Sequence, residues 1–190
     1  STVVPNVFDF DMPGWAEDEY NRDFREQIGL KETDIVFLQA TRVVARKGIE
    51  LAIDFVNAID TPQHRQTLME KGLYNGRPFT EDSRIVLVLA GYARDDVTGT
   101  YIKLLKEKAL RDEVDMIHIE DRVDHERRLE DGKKVYSLWD TYVMSDFVTY
   151  PSLWEGWGNQ FLEALRAKLP VIIFEYPVYT ADIGAKGFDC

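Results

Sequence analysis

Short apolar runs alternate along the chain with longer segments in which apolar residues recur every three or four positions. The runs are rich in β-branched and aromatic residues, and this predicts strands at residues 34–39, 84–90, 114–119, 147–150 and 170–174. Several of them are apolar nearly throughout, as is typical of strands that are covered on both faces. The alternation predicts βαβ units, and therefore an α/β domain with a Rossmann-like, three-layer parallel sheet.

The segments between the runs predict helices that pack on the sheet. Apolar residues share a helical face in two of them, at Ile49, Ala52, Phe55, Val56 and Ile59 and at Val135, Leu138, Trp139, Tyr142 and Val143. Residues 61–83 are polar and contain Gly72, Gly76 and Pro78, which predicts a long excursion between the first helix and the second strand. Residues 120–134 are dense in charge and predict a solvated surface loop.

Length, charge and cysteine content narrow the class of protein. The 190 residues fit one domain with its own core. The net charge of −11 argues against nucleic acid or an anionic membrane surface as a partner, because phosphates are bound chiefly by excess Lys and Arg. The single cysteine, Cys190, leaves no internal disulfide or zinc site. Neither a membrane span nor a signal peptide is recognisable, so we predict a cytoplasmic protein.

Both ends of the chain suggest a piece of a longer protein. Residues 1–13 are extended and punctuated by proline before any periodic element begins. Residues 183–190 stop just after a pair of glycines, without a closing helix. We therefore expect residues 1–190 to be one domain, with residues 1–13 as a linker to a preceding domain.

A cationic segment connects the first strand to the first helix. It contains Arg42, Arg46 and Lys47 and ends at Gly48. In open α/β sheets ligands bind at the carboxyl ends of the strands, where a helix N-terminus offers free N–H groups to an anion. The three cations could clamp such an anion, or they could be ordinary exposed loop charges.

A loop with two glycines follows the fourth strand and leads into a helix expected to begin near Gly158. Glycines let the backbone approach a ligand closely, so the loop has the physical features of a phosphate cradle, although the spacings GxxxxGK[ST] and GxGxxG are absent. Steps of 100° per residue put Glu163 on the helix face away from the core. Glu163 could simply pair with Arg166, and Glu155 could be a helix-entry carboxylate favoured by the dipole.

These two segments carry a family resemblance. Glu155 and Glu163, with seven residues between them, resemble the E-x7-E signature of GT4-type glycosyltransferases. Arg42 and Lys47-Gly48 are similar to the R-x4-K-G motif of that family, and residues 3–9 resemble its interdomain segment. The three motifs occur in the family's order and span essentially the whole chain.

The resemblance implies the C-terminal, donor-binding half of a retaining transferase of GT-B fold. Its substrate would be a nucleotide-diphosphate sugar, with no cofactor and no protein-bound metal. Arg42 and Lys47 would contact the diphosphate beside Gly48, Glu155 would face the donor sugar, and Glu163 would bind the ribose. The remaining contacts would come from the backbone at the helix start and from a segment that packs on the base, namely Gly156, Trp157, Gly158 and Asn159, and Arg122 and Val123.

The same resemblance implies that an N-terminal acceptor-binding domain and a C-terminal tail lie outside this chain. The isolated chain should then bind a donor without turning it over, and any membrane contact would be made by the missing part. Two departures stand out: Lys168 replaces the usual glycine, and residues 174–179, rich in aromatics, replace a small-residue loop. Bulky residues there leave the identity of the sugar open.

Three alternatives remain open at the level of sequence. The chain could be a nucleotide-sugar binding module without catalysis, or part of a sugar phosphorylase on the same scaffold. A flavodoxin-like or receiver-type domain shares the alternation of elements, but it would need acidic residues after the first strand, where this chain has Thr41 and Arg42.

Overall fold

The computed structural model describes residue 11, residues 14–96 and residues 98–188. The predicted linker, residues 1–13, lies almost entirely outside this part of the chain. Eight strands are described: β1 (Ile35–Gln39), β2 (Ile85–Leu89), β3 (Asp115–His118), β4 (Val123–Asp124), β5 (Arg128–Glu130), β6 (Lys133–Ser137), β7 (Phe147–Tyr150) and β8 (Val171–Ile173). Six α-helices accompany them: α1 (Phe24–Gln27), α2 (Ile49–Ile59), α3 (Pro62–Lys71), α4 (Thr100–Arg111), α5 (Leu138–Val143) and α6 (Asn159–Arg166).

The main sheet has five parallel strands in the order β3-β2-β1-β7-β8. All five were predicted from the apolar runs, and each observed end lies within one residue of its predicted position. The chain moves outward from β1 through β2 to β3 and then returns to the other side of β1 at β7. The order of strands therefore reverses between β1 and β7, which opens a crevice at their carboxyl ends.

Helices cover both faces of the sheet, so the predicted three-layer arrangement is confirmed. Successive residues of β1 point to opposite faces, as the pleat requires. Phe37 packs with Ile53 of α2 and Leu105 of α4 in one apolar cluster. Val36 and Leu38 pack with Phe24 and Tyr142 in the cluster on the other side. A third cluster beside β8 contains Tyr150, Phe161, Tyr176, Tyr179 and Ile183.

The predicted excursion over residues 61–83 was wrong in part, because it contains helix α3. Thr61 caps the helix by accepting a hydrogen bond from the His64 N–H at 3.2 Å, and Pro62 occupies the first turn. None of the residues of α3 is buried. A helix that is polar all round has no apolar period to detect, so only the cap residues indicated it.

The predicted loop over residues 120–134 and the predicted helical face from Val135 onward were also wrong in part. Strands β4, β6 and β5 form a second, three-stranded sheet, and Val135 lies in β6. Helix α5 begins only at Leu138, after Ser137 and Asp140 form a capping box. The Tyr20 hydroxyl donates to the carbonyls of Arg128 and Val135, and this ties the small sheet to the beginning of the described chain.

Among the described residues, no helix has the length and apolar character that crossing a membrane requires. The cytoplasmic location stays a prediction.

Candidate active site

Two loops meet at the crevice between β1 and β7. One follows β1 and carries Arg42, Arg46 and Lys47, and the other follows β7 and carries Glu155. The Leu153 N–H donates to the Arg46 carbonyl at 3.0 Å. Gly48 has a left-handed φ of 59°, and a Cβ there would lie 2.4 Å from the Pro151 carbonyl oxygen. Only glycine permits so close an approach in that conformation, so the R-x4-K-G glycine serves to bring the loops together.

The structure joins two of the three cations in the loop after β1, Arg46 and Lys47, to Glu155. The Lys47 ammonium donates to Glu155 Oε1 in a short ion pair, and both side chains are about nine-tenths buried. Arg46 reaches Glu155 Oε2 at 3.4 Å and the Trp154 carbonyl at 3.2 Å. Residues more than a hundred positions apart thus form a single charged cluster.

Burial and pairing act in opposite directions on this cluster. Burial lowers the pKa of Lys47, and the hydrogen bond and charge of Glu155 only partly oppose that shift. Burial raises the pKa of Glu155, but hydrogen bonding, chiefly to Lys47, and the charges of Lys47 and Arg46 together hold this pKa below its usual range. The cluster therefore keeps Glu155 ionised and holds a cation in a partly dehydrated position, where its field acts strongly on a bound anion.

Glu163 lies away from the apolar core side of α6, yet it is not a solvated carboxylate. The buried Tyr142 hydroxyl donates to Glu163 Oε2 at 2.6 Å, and burial raises the pKa of Glu163 against opposing effects of Tyr142 and Lys47. The Arg166 guanidinium lies 5.2 Å from the centre of the Trp15 ring. Tyr142 was missed as a site residue because its helical spacing indicated only a core position.

Helix α6 begins where the sequence predicted, with Gly158 as its N-cap. Gly158 has a φ of 101°, and a Cβ there would lie 2.3 Å from the Tyr176 hydroxyl and 2.8 Å from that of Tyr150. Among the described residues, none besides the two chain neighbours lies within 4 Å of a Cβ built on Gly156. The loop before α6 is therefore supported by two tyrosine side chains at Gly158 and is open at Gly156. An open backbone lets a ligand approach the loop closely.

The other predicted residues line a cavity of about 800 Å³ at the carboxyl ends of β1, β2 and β3. Arg42 borders it and pairs with Asp95 at 2.5 Å. Arg122 and Val123 form part of its wall. The Arg122 guanidinium is held by Gln27 and by the Lys134 carbonyl, so a base could contact only its stem or backbone. The cavity lies on the same edge of the sheet as the Lys47 and Glu155 cluster.

The part of the chain that the structure describes contains no group of three or more His, Cys, Asp or Glu side chains placed to hold a metal ion. The expected independence from a protein-bound metal stays a prediction.

Residues 21–185, which include both motifs and both loops, match the family model described as glycosyl transferases group 1. The chain therefore belongs to this family of glycosyltransferases, as the resemblance of the two motifs implied. Over 192 residues it is 43% identical to the mannosylglucosylglycerate synthase of Petrotoga mobilis, an alignment that covers all of this chain and 42% of that protein. It is 40% identical to the Thermotoga maritima enzyme of the same name, with 98% of this chain and 40% of that protein covered.

The fold also matches a solved structure. The crystal structure of Anabaena HepE, in complex with UDP and glucose, matches 93% of this chain and 38% of its own chain, with a TM-score of 0.56 at 17% identity. At that identity the likeness shows the fold alone. The chain spans about two-fifths of the length of the curated relatives it matches.

Proposed function

We propose that this chain is the donor-binding domain of a transferase that moves a hexosyl group from a nucleotide-diphosphate sugar to an acceptor with retained configuration. The observation that carries the proposal is the cluster of Lys47, Arg46 and Glu155 at the crevice between β1 and β7, beside the N-terminus of α6. Cations, a helix N-terminus and a carboxylate meet there at the edge of the sheet where an anionic ligand is expected.

Each predicted residue has a role in this proposal. Lys47 and Arg42 stabilise the diphosphate, which gains negative charge as the glycosidic bond breaks. Glu155 orients the Lys47 ammonium and faces the donor sugar. The amides of the loop before α6, from Gly156, Trp157, Gly158 and Asn159, supply further donors near Gly48. Glu163 accepts hydrogen bonds from the ribose, and the wall at Arg122 and Val123 packs on the base.

The names of the relatives suggest the product. We propose that the whole protein makes mannosylglucosylglycerate, as the Petrotoga and Thermotoga proteins are named to do, and that the donor carries mannose. The acceptor would then be glucosylglycerate, bound largely by a domain outside this chain. Charge on the leaving group is met by Arg42, Lys47 and the α6 amides, so we propose that no protein-bound metal takes part.

The test is an activity assay on the full-length protein. It should be incubated with glucosylglycerate and with UDP-mannose, GDP-mannose or ADP-mannose, in the presence and absence of EDTA. We expect one donor to give a product with the donor's anomeric configuration by NMR, at an unchanged rate in EDTA. Product formed only from mannose 1-phosphate would instead identify a phosphorylase, and binding of a donor without product would identify a binding module.

A further inference from the structure

A buried tyrosine, Tyr176, holds the peptide bond between Trp157 and Gly158, just before helix α6. The Tyr176 hydroxyl donates to the Trp157 carbonyl at 2.7 Å, and the Tyr176 side chain is fully buried. Its ring meets that of Tyr150 edge-on, with 6.0 Å between centroids. Both hydroxyls lie directly beneath Gly158. The Trp157–Gly158 peptide therefore rests on a fixed aromatic support.

The direction of one amide follows from this contact. The Trp157 carbonyl and the Gly158 N–H belong to the same peptide unit, which is planar and trans, so the two groups point in opposite directions. Because Tyr176 binds the carbonyl on the buried side, the Gly158 N–H must point away from the core. None of the described residues accepts a hydrogen bond from this N–H, and it is the amide immediately before the first residue of α6.

We propose that Tyr176 is a positioning residue that aims the Gly158 N–H at the bound diphosphate. The inference rests on the proposed function, because it needs an anion at the N-terminus of α6. It also gives a purpose to the aromatic residues that this chain carries after β8. Tyr176 and Tyr179 are buried in one cluster with Phe161, where the Tyr179 ring contacts both of the others, so they support the loop from below, whereas Phe174 is exposed.

Without the Tyr176 hydroxyl, the peptide would lose the contact that fixes its orientation. Gly158 is the residue best able to tolerate a peptide flip, since glycine adopts positive and negative φ with similar ease. A flipped peptide would present the Trp157 carbonyl, a hydrogen-bond acceptor, to the phosphates. The defect should therefore appear in binding of the diphosphate and not in binding of the nucleoside.

The experiment compares Tyr176→Phe with a matched control in the full-length protein. Tyr136→Phe also removes one hydroxyl from a fully buried ring, but that hydroxyl donates to Asp23 at 2.9 Å and makes no contact with the loop. Calorimetry should measure binding of UDP and GDP, and of uridine and guanosine, to each variant. We expect Tyr176→Phe to lower the affinity for the preferred nucleoside diphosphate by roughly 3- to 10-fold and to leave the affinity for the nucleoside unchanged. Tyr136→Phe should change neither.

The outcomes separate the two claims. If the unaltered protein binds a nucleoside diphosphate and Tyr176→Phe binds it equally well, or weakens diphosphate and nucleoside alike, the positioning role is wrong and the proposed function stands. If the unaltered protein binds none, both fail. Should Tyr176→Phe not fold, the amide resonance of Gly158 in glycine-labelled protein decides the question. It should shift on addition of the preferred diphosphate but not of its nucleoside, and an equal response to both would overturn the proposal.

Discussion

At the scale of single residues, the site depends on a lysine and a glutamate that neutralise each other inside the fold. Lys47 and Glu155 are both about nine-tenths buried, and each would be costly to bury alone. Burial removes water from the ammonium, and the Glu155 carboxylate favours its charged form, at the position where a diphosphate is proposed to bind. In the proposed function, the lysine is therefore preorganised for charge that develops during the reaction.

Removing this cation should slow turnover strongly. We expect Lys47→Ala in the full-length enzyme to lower kcat by about 10²- to 10³-fold, the range for losing one transition-state charge contact, and Arg42→Ala to have an effect of the same order. Lys103→Ala is the matched control, because Lys103 is an exposed lysine that pairs with Glu107 at 3.8 Å on the same helix. Initial rates with unchanged circular dichroism measure the effect. Near-normal rates in both site variants would show that Lys47 and Arg42 do not stabilise the diphosphate.

Replacing Glu163 should stabilise the fold but weaken nucleotide binding. Burial raises its pKa, so the folded state binds the proton more tightly, and the contribution of this carboxyl to stability falls as the pH rises through the raised pKa. Glu163→Gln removes that cost, so we expect a higher melting temperature at pH 7 and a gain that shrinks toward pH 4. Loss of a charged acceptor should also weaken nucleotide binding by about 10-fold. A lower melting temperature at pH 7 would contradict this account.

The sequence indicated the charged residues of the candidate site but not Tyr142, which bonds to Glu163, or Tyr176, which bonds to the Trp157 carbonyl. Arg42, Lys47, Glu155 and Glu163 stand at recognisable spacings. Tyr142 and Tyr176 bond to partners 21 and 19 positions away, on other elements. No local pattern marks such a pair, because only the folded sheet brings the partners together.

At the scale of elements, the end of α6 explains one departure from the family pattern. The Leu169 N–H donates to the Ala164 carbonyl at 3.1 Å and the Lys168 N–H to that of Leu165 at 3.0 Å, which forms a Schellman motif. This motif needs a left-handed residue, and Lys168 has a φ of 57°. Lys168 occupies a position where the family usually has glycine, and the left-handed backbone explains why glycine is favoured there.

Restoring the glycine should stabilise the protein. We expect Lys168→Gly to raise the free energy of unfolding by about 0.5–1 kcal/mol, since relief of the left-handed strain exceeds the added entropy of the unfolded chain. Lys168→Ala is the control, because it removes the same side chain and keeps the strain. Chemical denaturation measures both. Equal stability of the two variants would show that the side chain, and not the backbone, sets the effect.

Elements with an apolar period were predicted well, and the others were not. The inner strands β1, β2 and β7 are buried almost throughout, and the edge strands β3 and β8 are partly buried, so all five apolar runs stand out. Helix α3 has no buried residue, and β5 is fully exposed, so neither leaves a hydrophobic signal. Val135 happens to lie three positions before Leu138, which made the end of β6 resemble a turn of helix α5. The capping pair Ser137 and Asp140 was the local signal that could have corrected this.

At the scale of the whole molecule, the two edges of the sheet have different tasks. The carboxyl edge holds the site, and the amino edge holds a buried ion network around Asp146. This carboxylate accepts from Arg25 at 2.9 Å, from the Val36 N–H at 2.9 Å, and from Arg77. Arg25 also donates to the Asp34 carbonyl at 2.9 Å, so the network joins α1, β1 and β7.

Breaking this network should destabilise the fold without altering the site. Asp146→Ala leaves the Arg25 guanidinium buried without its carboxylate, and we expect a loss of about 3–5 kcal/mol in the free energy of unfolding. Asp54→Ala, which removes an exposed partner of Lys108, should cost less than about 1 kcal/mol. Nucleotide affinity of the folded fraction should stay unchanged in both. A large loss of affinity in Asp146→Ala at a temperature where it is folded would contradict the separation of the edges.

The central claim is that the two loops at the carboxyl edge form a site for a nucleotide-diphosphate donor. The most direct measurement is calorimetric titration of UDP, GDP and ADP into the full-length protein and into its Glu163→Ala variant. The account predicts saturable binding of one nucleotide with a stoichiometry of one, and its loss or severe weakening in the variant. Saturable binding of none of them, or equal binding by both proteins, would contradict it.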